Sequence, residues 1–202
     1  YTDLYFNYSI NQDLRDKKFR TEDGFATTFS QELPIVSDNS EISNAFDITK
    51  YKKLSTRSDI VGKVSFFGKT ITGLSDDVRI SKRLYIPSGR LRGFEKGKVG
   101  PVDNNDYIGG NHLSSINMSA TLPNILEGLD NLDVGVFLDA ANIWGVDYDS
   151  SLDDKSAIRS SVGVGLNLLT PIGPLSFSFA NALTKASSDK TESFRFNLGT
   201  QF

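Results

Sequence analysis

Apolar and polar residues alternate along most of this chain, and this period of two constrains its fold more than any other feature of the sequence. In the segment LDVGVFLD (132–139), Leu or Val occupies every second position, and Asp, Gly and Phe lie between them. The same alternation occurs in IRSSVGVGLNL (158–168), LSFSFA (175–180) and FRFNLGTQF (194–202). Residues two apart share a face of a β-strand, whereas the helical period of 3.6 is hard to find. The pattern predicts an all-β protein.

The length of the alternating runs indicates where the strands lie. Rougher alternation in the first two thirds of the chain brings the count to about nine strands of ~9–13 residues, longer than the ~5–6 usual in soluble domains. A tilted strand needs ~9–11 residues to cross a bilayer. One face of these strands is Leu, Val and Phe, and the other is Gly, Ser, Asn, Asp and Arg, which fits a water-filled lumen better than the shared core of a soluble sandwich. We therefore predict a transmembrane antiparallel β-barrel.

The connections between the runs differ in length. Tight turns are predicted at 34–40 and 170–174, and long polar loops at 73–109, 146–156 and 185–192. Short turns at one rim and long loops at the other are typical of outer-membrane barrels. We accordingly expect the tight turns to lie together at one rim, opposite the long loops.

Composition narrows the possible chemistry. The chain has 22 Lys and Arg against 25 Asp and Glu, a net charge of −3, which argues against a nucleic-acid partner. It has no Cys and one His, which excludes cysteine-based and multi-histidine metal sites within these 202 residues. We predict no catalytic residues, no cofactor and no metal, so the chain is not expected to be an enzyme. A surface active site among the acidic loop residues is the remaining enzymatic alternative.

One loop segment stands out, SGRLRGFEKGKVGP (88–101), with Arg92-Gly93-Phe94 at its centre. In a barrel, this segment resembles the Arg-Gly-Phe loop motif of the BamA family of outer-membrane β-barrel assembly factors and their polypeptide-transporting relatives. Further segments are similar to elements of that family in the same order: VGPVDNNDYIGGN (99–111), VFLDAANIW (136–144), LLTPIGPLSFSFA (168–180) and FRFNLGTQF (194–202). The resemblance covers residues 1–202 and is most specific over 88–202.

The resemblance implies a larger protein. Barrels of this family have sixteen strands and follow periplasmic POTRA domains. The nine strands of residues 1–202 would then be the C-terminal half of such a barrel, a single C-terminal barrel portion with the N-terminal strands and the POTRA domains outside it. Its long loop, about 73–110, would be directed into the lumen.

The resemblance also implies a contact between this loop and the barrel wall. Arg92 corresponds to the family's loop arginine, and Asp139 to the wall aspartate that receives it. A guanidinium in a partly desolvated lumen favours a bidentate carboxylate. We expect Gly93 to allow a close approach or a positive φ, Phe94 to pack as an apolar anchor, and Gly135 to clear space beside Asp139. Where family members often carry a second carboxylate, this chain has Ser119, so a two-acid clamp on Arg92 is not expected.

The last strand is the other implied site. In the family, the first and last strands meet at a weak seam that can open laterally. The residues assigned to this seam strand are Phe194, Phe196, Leu198, Gly199 and Phe202. Gly199 would weaken strand pairing locally. The closing Phe202 resembles the C-terminal signal by which outer-membrane barrels are recognised for assembly.

The function that the resemblance implies is the folding and insertion of β-barrel proteins in the outer membrane of a Gram-negative bacterium. Its partners would be unfolded outer-membrane clients, membrane lipids and assembly-complex lipoproteins. A two-partner secretion translocator and a passive small outer-membrane barrel remain as alternatives. A nine-stranded portion would expose unpaired backbone at both edges, so the isolated chain is expected to self-associate or to curl into an incomplete barrel.

Overall fold

The computed structural model describes residues 3–18, 20–55, 59–123, 131–149, 151–152, 156–170 and 173–198. These residues form an all-β structure, as the alternation predicts, with one 3-10 turn at Ile80–Lys82. The strands are β1 Leu4–Asp13, β2 Gly24–Val36, β3 Glu41–Lys53, β4 Val61–Gly73, β5 Val102–Asp103, β6 Asp106–Tyr107, β7 His112–Pro123, β8 Leu132–Trp144, β9 Arg159–Thr170, β10 Gly173–Thr184 and β11 Phe194–Leu198. Among the described residues, no helix is long and apolar enough to cross a membrane.

Nine strands form one antiparallel sheet in the order β1-β2-β3-β4-β7-β8-β9-β10-β11. The predicted count of about nine long strands is therefore confirmed. The short strands β5 and β6 pair with each other inside the long connection between β4 and β7. Each strand of the large sheet thus pairs with the long strand that precedes or follows it, the meander from which outer-membrane barrels are built.

The two faces of the sheet differ in the way that the alternation predicts. In β8, Val136 is 51% exposed on the outer face, whereas Phe137 and Asp139 are 3% and 0% exposed on the inner face. In β10, Phe179 is exposed and Ser178 is buried. Exposed rows of large apolar side chains are unfavourable in water but match the hydrocarbon of a bilayer. The outer face is therefore the lipid-facing surface and the inner face lines the lumen.

The prediction that both tight turns share one rim is wrong. Because successive strands run in opposite directions, β2, β4, β8 and β10 all end at one rim, and β9 ends at the other. The tight connection 37–40 after β2 therefore lies at the same rim as the long loops 74–111 and 185–193, which we call the loop rim. Residues 171–172 of the other predicted turn lie outside the described residues. The rim at which a connection lies is set by the direction of the strand before it, and not by the length of the connection.

The long connection 74–111 folds back against the inner face of the sheet. Its apolar residues pack with inward-facing wall residues into one core, which comprises Ile71, Val78, Leu84, Ile86, Leu91, Phe94, Val99, Leu113, Ala141 and Ile143. At the start of this connection, Arg79 forms ion pairs with Asp3 at 2.9 Å and with Glu41 at 3.1 Å. Farther along, the connection reaches β11 through Arg195. It therefore spans the concave side from one end of the sheet to the other.

The strands β1 and β11 are the end strands of this sheet, and this gives a first prediction. An unpaired edge is a template for another strand, and it is most unfavourable in lipid, where water cannot satisfy the backbone groups. We expect residues 1–202, purified alone in detergent, to associate through these edges or to show fast amide exchange along them. Light scattering coupled to size exclusion, followed by hydrogen exchange, measures both. A monodisperse monomer with slow exchange in both end strands would contradict this prediction.

Candidate functional site

The in-turned loop is joined to the barrel wall by an arginine–aspartate pair. Arg92 Nε donates to Asp139 Oδ2 at 2.7 Å, and Arg92 Nη2 donates to Asp139 Oδ1 at 2.8 Å. The backbone N–H of Arg92 donates to the same carboxylate at 3.1 Å. The Asp139 side chain is 0% exposed and that of Arg92 is 24% exposed. This is the bidentate geometry in which a guanidinium binds a carboxylate most strongly.

Two wall residues that the sequence did not single out complete the pair. Asn117 lies directly opposite Asp139 in the β7–β8 ladder, and its Nδ2 donates to Asp139 Oδ1 at 2.8 Å and to the carbonyl of Arg90 at 2.9 Å. The ring of Phe137 lies 3.4 Å from Arg92 Cζ, a cation–π contact. Asn117, rather than a second acid or Ser119, therefore accompanies the carboxylate. Only the strand register could have identified it.

Gly93 brings the loop backbone against the wall. Its φ is +87°, and a Cβ there would lie 3.1 Å from Ala180 Cβ and 3.2 Å from Ser161 Cβ. Ser161 Oγ donates to the carbonyl of Arg92. The loop thus approaches β9 and β10 closely at the one motif position without a side chain.

The space-clearing role assigned to Gly135 is wrong. A Cβ at Gly135 would meet the carbonyl of Ala120 on the neighbouring strand at 3.0 Å, and its nearest neighbours include no loop atom. Gly135 lies four residues before Asp139 in β8, one of the strands that line the lumen beneath the loop. Gly135 and Asp139 are an even number of residues apart, so the alternation placed Gly135 on the correct face. The point at which the loop comes closest to the wall depends on the path of the loop, and the alternation does not reveal that path.

Phe94 is an apolar anchor, 1% exposed within the core that the loop forms with the wall. It also forms an isolated antiparallel bridge with Thr191, in the connection that leads into the last strand. The Arg-Gly-Phe motif therefore contacts two parts of the protein: the β8–β10 wall through Arg92 and Gly93, and the 185–193 connection through Phe94.

Further ion pairs bind the long loop to the wall strand β3 and to the connection that follows β8. Arg90 pairs with Asp47 on β3, three strands along the sheet from the strand of Asp139. Arg83, with a fully buried side chain, pairs with Asp147 at 2.7 Å. These pairs were not predicted from the sequence. Arg92 is thus one of several cations that position this loop.

A cavity of about 500 Å³ lies beneath the loop. Its lining includes Asp47, Lys63, Asn117 and Ser176 from four inward-facing strands. The mixture of charges, amides and hydroxyls is suited to water, as expected for a lumen. Among the residues that the structure describes, no group of three or more His, Asp or Glu side chains is placed to hold a metal ion.

The last strand places its predicted seam residues on the outer face. Phe194, Phe196 and Leu198 are 49%, 50% and 67% exposed. Phe194 and Phe196 pack against Phe179 and Phe177 of β10, with tilted rings whose centroids are 5.0 and 5.1 Å apart. The other two residues assigned to this strand, Gly199 and Phe202, lie outside the described residues.

Alanine substitutions at two glycines distinguish the close approach of Gly93 to the wall from the conformational cost of its positive φ. Gly93→Ala should destabilise the inserted loop, because the methyl group would press on Ala180 and Ser161 in addition to the ~1–2 kcal/mol that a left-handed conformation costs a non-glycine residue. Gly97 is the matched control, since its φ is +70° and a Cβ there meets nothing within 4 Å. Gly97→Ala should show the conformational penalty alone. Protease sensitivity of the loop in the folded protein measures the difference, and equal sensitivity of the two variants would refute the close approach.

The geometry defines a class of protein: a membrane β-barrel wall whose long loop returns into the lumen and is held there by an arginine–aspartate pair. The sequence model of a protein family, the Omp85 superfamily domain, matches residues 1–202, the whole of this sequence. The chain belongs to the Omp85 superfamily.

Individual relatives agree with this membership. The chain is 24% identical over 200 residues to the outer membrane protein assembly factor BamA of Neorickettsia risticii, an alignment that covers 97% of this chain and 27% of that protein. It is 29% identical over 143 residues to BamA of Neisseria meningitidis serogroup B, which covers 56% of this chain and 18% of that protein. The chain thus spans about a quarter or less of the length of these curated relatives.

A solved structure matches the fold. The crystal structure of BamA from Haemophilus ducreyi lacking POTRA domains 1–3 superimposes with a TM-score of 0.86 at 25% sequence identity. The match covers 95% of this chain and 41% of that chain. The nine-stranded sheet therefore corresponds to part of a larger BamA barrel.

Proposed function

We propose that this chain is the C-terminal part of the barrel of an assembly factor that folds and inserts β-barrel proteins in the outer membrane of a Gram-negative bacterium. The observation that carries the proposal is the Arg-Gly-Phe loop held on Asp139 inside the lumen of an Omp85-superfamily barrel. The relatives that match most of this chain are named as assembly factors, which supports the same function.

The physical task of such a factor requires no covalent chemistry, and we do not propose an enzymatic activity. An unpaired strand edge in hydrocarbon leaves each N–H and C=O unsatisfied, at several kcal/mol per group. A factor that offers its own edge removes that penalty, because the client's first strand can pair before it is surrounded by lipid. Pairing through backbone groups is independent of the client's sequence, so one edge serves many clients.

The last strand is suited to this role by its place in the sheet. Among the described residues, β11 pairs with β10 from Leu175–Leu198 to Phe179–Phe194 and forms one end of the sheet. On its other side, β11 has no partner among the described residues. In the whole protein, we propose that this side meets the first strand of the barrel at a seam that opens to clients.

The partners that follow are unfolded outer-membrane proteins, the surrounding lipids and the lipoproteins of an assembly complex. We further propose that the whole protein carries additional barrel strands and periplasmic POTRA domains. The correspondence of this chain to 41% of a BamA chain that lacks POTRA domains 1–3 supports both additions.

Reconstitution tests the proposed function. The full-length protein in lipid vesicles should accelerate the folding of a chaperone-held β-barrel client, measured by the difference in gel migration between the unheated and the heated client. Empty vesicles give the spontaneous rate, and vesicles with an unrelated porin control for a membrane-disordering effect. A client folding rate equal to that with the porin would contradict the proposal and favour a passive barrel. Passage of an unfolded exoprotein into the vesicles without client folding would instead support a translocator.

A further inference from the structure

The last strand carries an arginine on its inner face, between two lipid-facing phenylalanines. The Arg195 side chain is 10% exposed. Its Nη1 donates to the carbonyl of Ser88 at 2.5 Å and its Nη2 donates to the carbonyl of Phe94. Its Nε donates to the carboxylate of Glu192. Arg195 therefore joins β11 to both ends of the loop segment 88–94, which contains the Arg-Gly-Phe motif.

The chain just before β11 is also paired with the loop. The backbone N–H of Glu192 donates to the carbonyl of Gly93 at 3.1 Å, and that of Glu95 donates to the carbonyl of Lys190 at 3.0 Å. The N–H of Lys190 donates in turn to the carbonyl of Lys98 at 3.0 Å. Backbone hydrogen bonds thus join residues 93–98 to residues 190–192, and the loop holds the chain that enters β11.

A buried ion pair holds the same connection to the wall. Asp189, whose side chain is 0% exposed, accepts from Arg159 Nε of β9 at 2.9 Å. It also accepts from the backbone N–H of Gly100, in the loop, at 3.2 Å. The connection 185–193 is therefore held between β9 and the loop, and its position depends on both.

These contacts act on the strand that ends the described sheet. The described ladder that joins β11 to the sheet has five residue pairs, all with β10. The three donor bonds of Arg195 form on the inner face of the same strand, at its second residue. A displacement of β11 away from the loop has to break the two bonds to the carbonyls of Ser88 and Phe94, and a withdrawal of the loop removes the same two acceptors.

We infer that Arg195 is a positioning residue that couples the in-turned loop to the last strand, so that loosening either element loosens the other. Such coupling is reciprocal, because an interaction free energy between two elements acts on both alike. The loop then sets how readily β11 leaves the sheet. This inference concerns the barrel itself and holds whether or not the protein assembles clients.

Hydrogen exchange in the full-length protein, held in lipid nanodiscs without any client, tests the coupling. In Arg195→Gln, we expect amide exchange at least about tenfold faster both in loop residues 88–98 and in β11 residues 194–198. Arg195→Lys keeps the charge beside Glu192 but cannot hold two carbonyls in the guanidinium fork, so a smaller increase is expected in both segments. Arg15→Gln is the control, because Arg15 bonds to Asp13 near the β1–β2 connection, and it should change neither segment.

A second variant, at the wall, distinguishes coupling between the loop and β11 from a merely structural role of Arg195. Asp139→Asn, which loosens the loop at the wall, should accelerate exchange in β11, and this effect on β11 should disappear when Arg195→Gln is already present. Faster exchange in β11 alone after Arg195→Gln, or in the loop alone after Asp139→Asn, would overturn the inference. If Arg195→Gln does not fold, as judged by gel migration before and after heating, Arg195→Lys decides the outcome by the same joint change in both segments.

Discussion

Asp139→Asn is expected to cost the inserted loop about 3–5 kcal/mol, the range for removing one partner of a buried ion pair. The Asp139 side chain is fully buried, and it receives two bonds from the Arg92 side chain, one from the Arg92 backbone and one from Asn117. Asparagine presents a single acceptor oxygen and no charge, so the guanidinium remains uncompensated. The free energy is measured as the midpoint shift of loop protection against urea in the full-length protein. Under the proposed function, the same variant should also impair client folding.

A carboxylate on the same strand and the same face provides the control. Asp133 pairs with Arg20 at 3.1 Å, but the Arg20 side chain is 48% exposed. Solvent-exposed pairs contribute about 0–1 kcal/mol. Asp133→Asn should therefore be close to neutral where Asp139→Asn is severe. Equal losses in the two variants would show that the effect of Asp139 comes from charge in the lumen in general and not from its buried contact.

The double variant distinguishes a specific pair from two separate residues. Removing Arg92 and Asp139 together should be little worse than either change alone, because each single change already breaks the same contact. Strictly additive losses would contradict the pairing. The cycle belongs in the full-length protein, where the barrel wall is complete and both elements are in place.

The second large effect is expected on the lipid-facing surface. Phe179→Arg should destabilise the barrel by about 2–4 kcal/mol if residue 179 lies near the bilayer midplane, because the guanidinium would have to be accommodated in hydrocarbon. Phe179 is 52% exposed on the outer face and its ring packs against that of Phe194 of β11. The unfolding free energy in lipid vesicles, from urea titration, measures the cost. The same argument applies to Leu132, Val134, Val136, Phe177, Phe194 and Phe196, in proportion to their depth.

The control is an inward-facing position on the same strand. Ser176 lies three residues away on the opposite face, where it lines the lumen cavity and its hydroxyl donates to Asn167 at 2.9 Å. Ser176→Arg places the charge in a water-filled space and should cost much less than Phe179→Arg. If the cost is reversed between the two positions, then the assignment of the inner and outer faces is wrong.

The alternation in β8 shows what could be predicted from the sequence. Asp139 and Val136 were assigned to opposite faces from parity alone, and the structure places Asp139 at 0% and Val136 at 51% exposure. Parity succeeds because the orientation of side chains along a strand is a local property of the pleated backbone. The same reasoning failed for Gly135, since parity gives the face but not which point of that face the loop touches.

The Arg92–Asp139 contact shows what the family resemblance added to the prediction from alternation. The two residues are 47 positions apart, and their pairing was implied by similarity to a family, not by the spacing. Nothing in the sequence indicated that Asn117 would join them. Its position opposite Asp139 follows from the β7–β8 register, which the intervening connection leaves open.

The sequence by itself determined the all-β class, the number of long strands and the face to which each of their residues belongs, because these are properties of residues one or two apart. Only the tertiary structure decided which rim holds each connection, where the loop meets the wall, and that Arg195 bonds to Phe94 at a separation of 101 residues. Such contacts depend on register, on sheet curvature and on the path of one long loop. The free energy that selects them comes from groups that meet only when the barrel wall has formed around the loop.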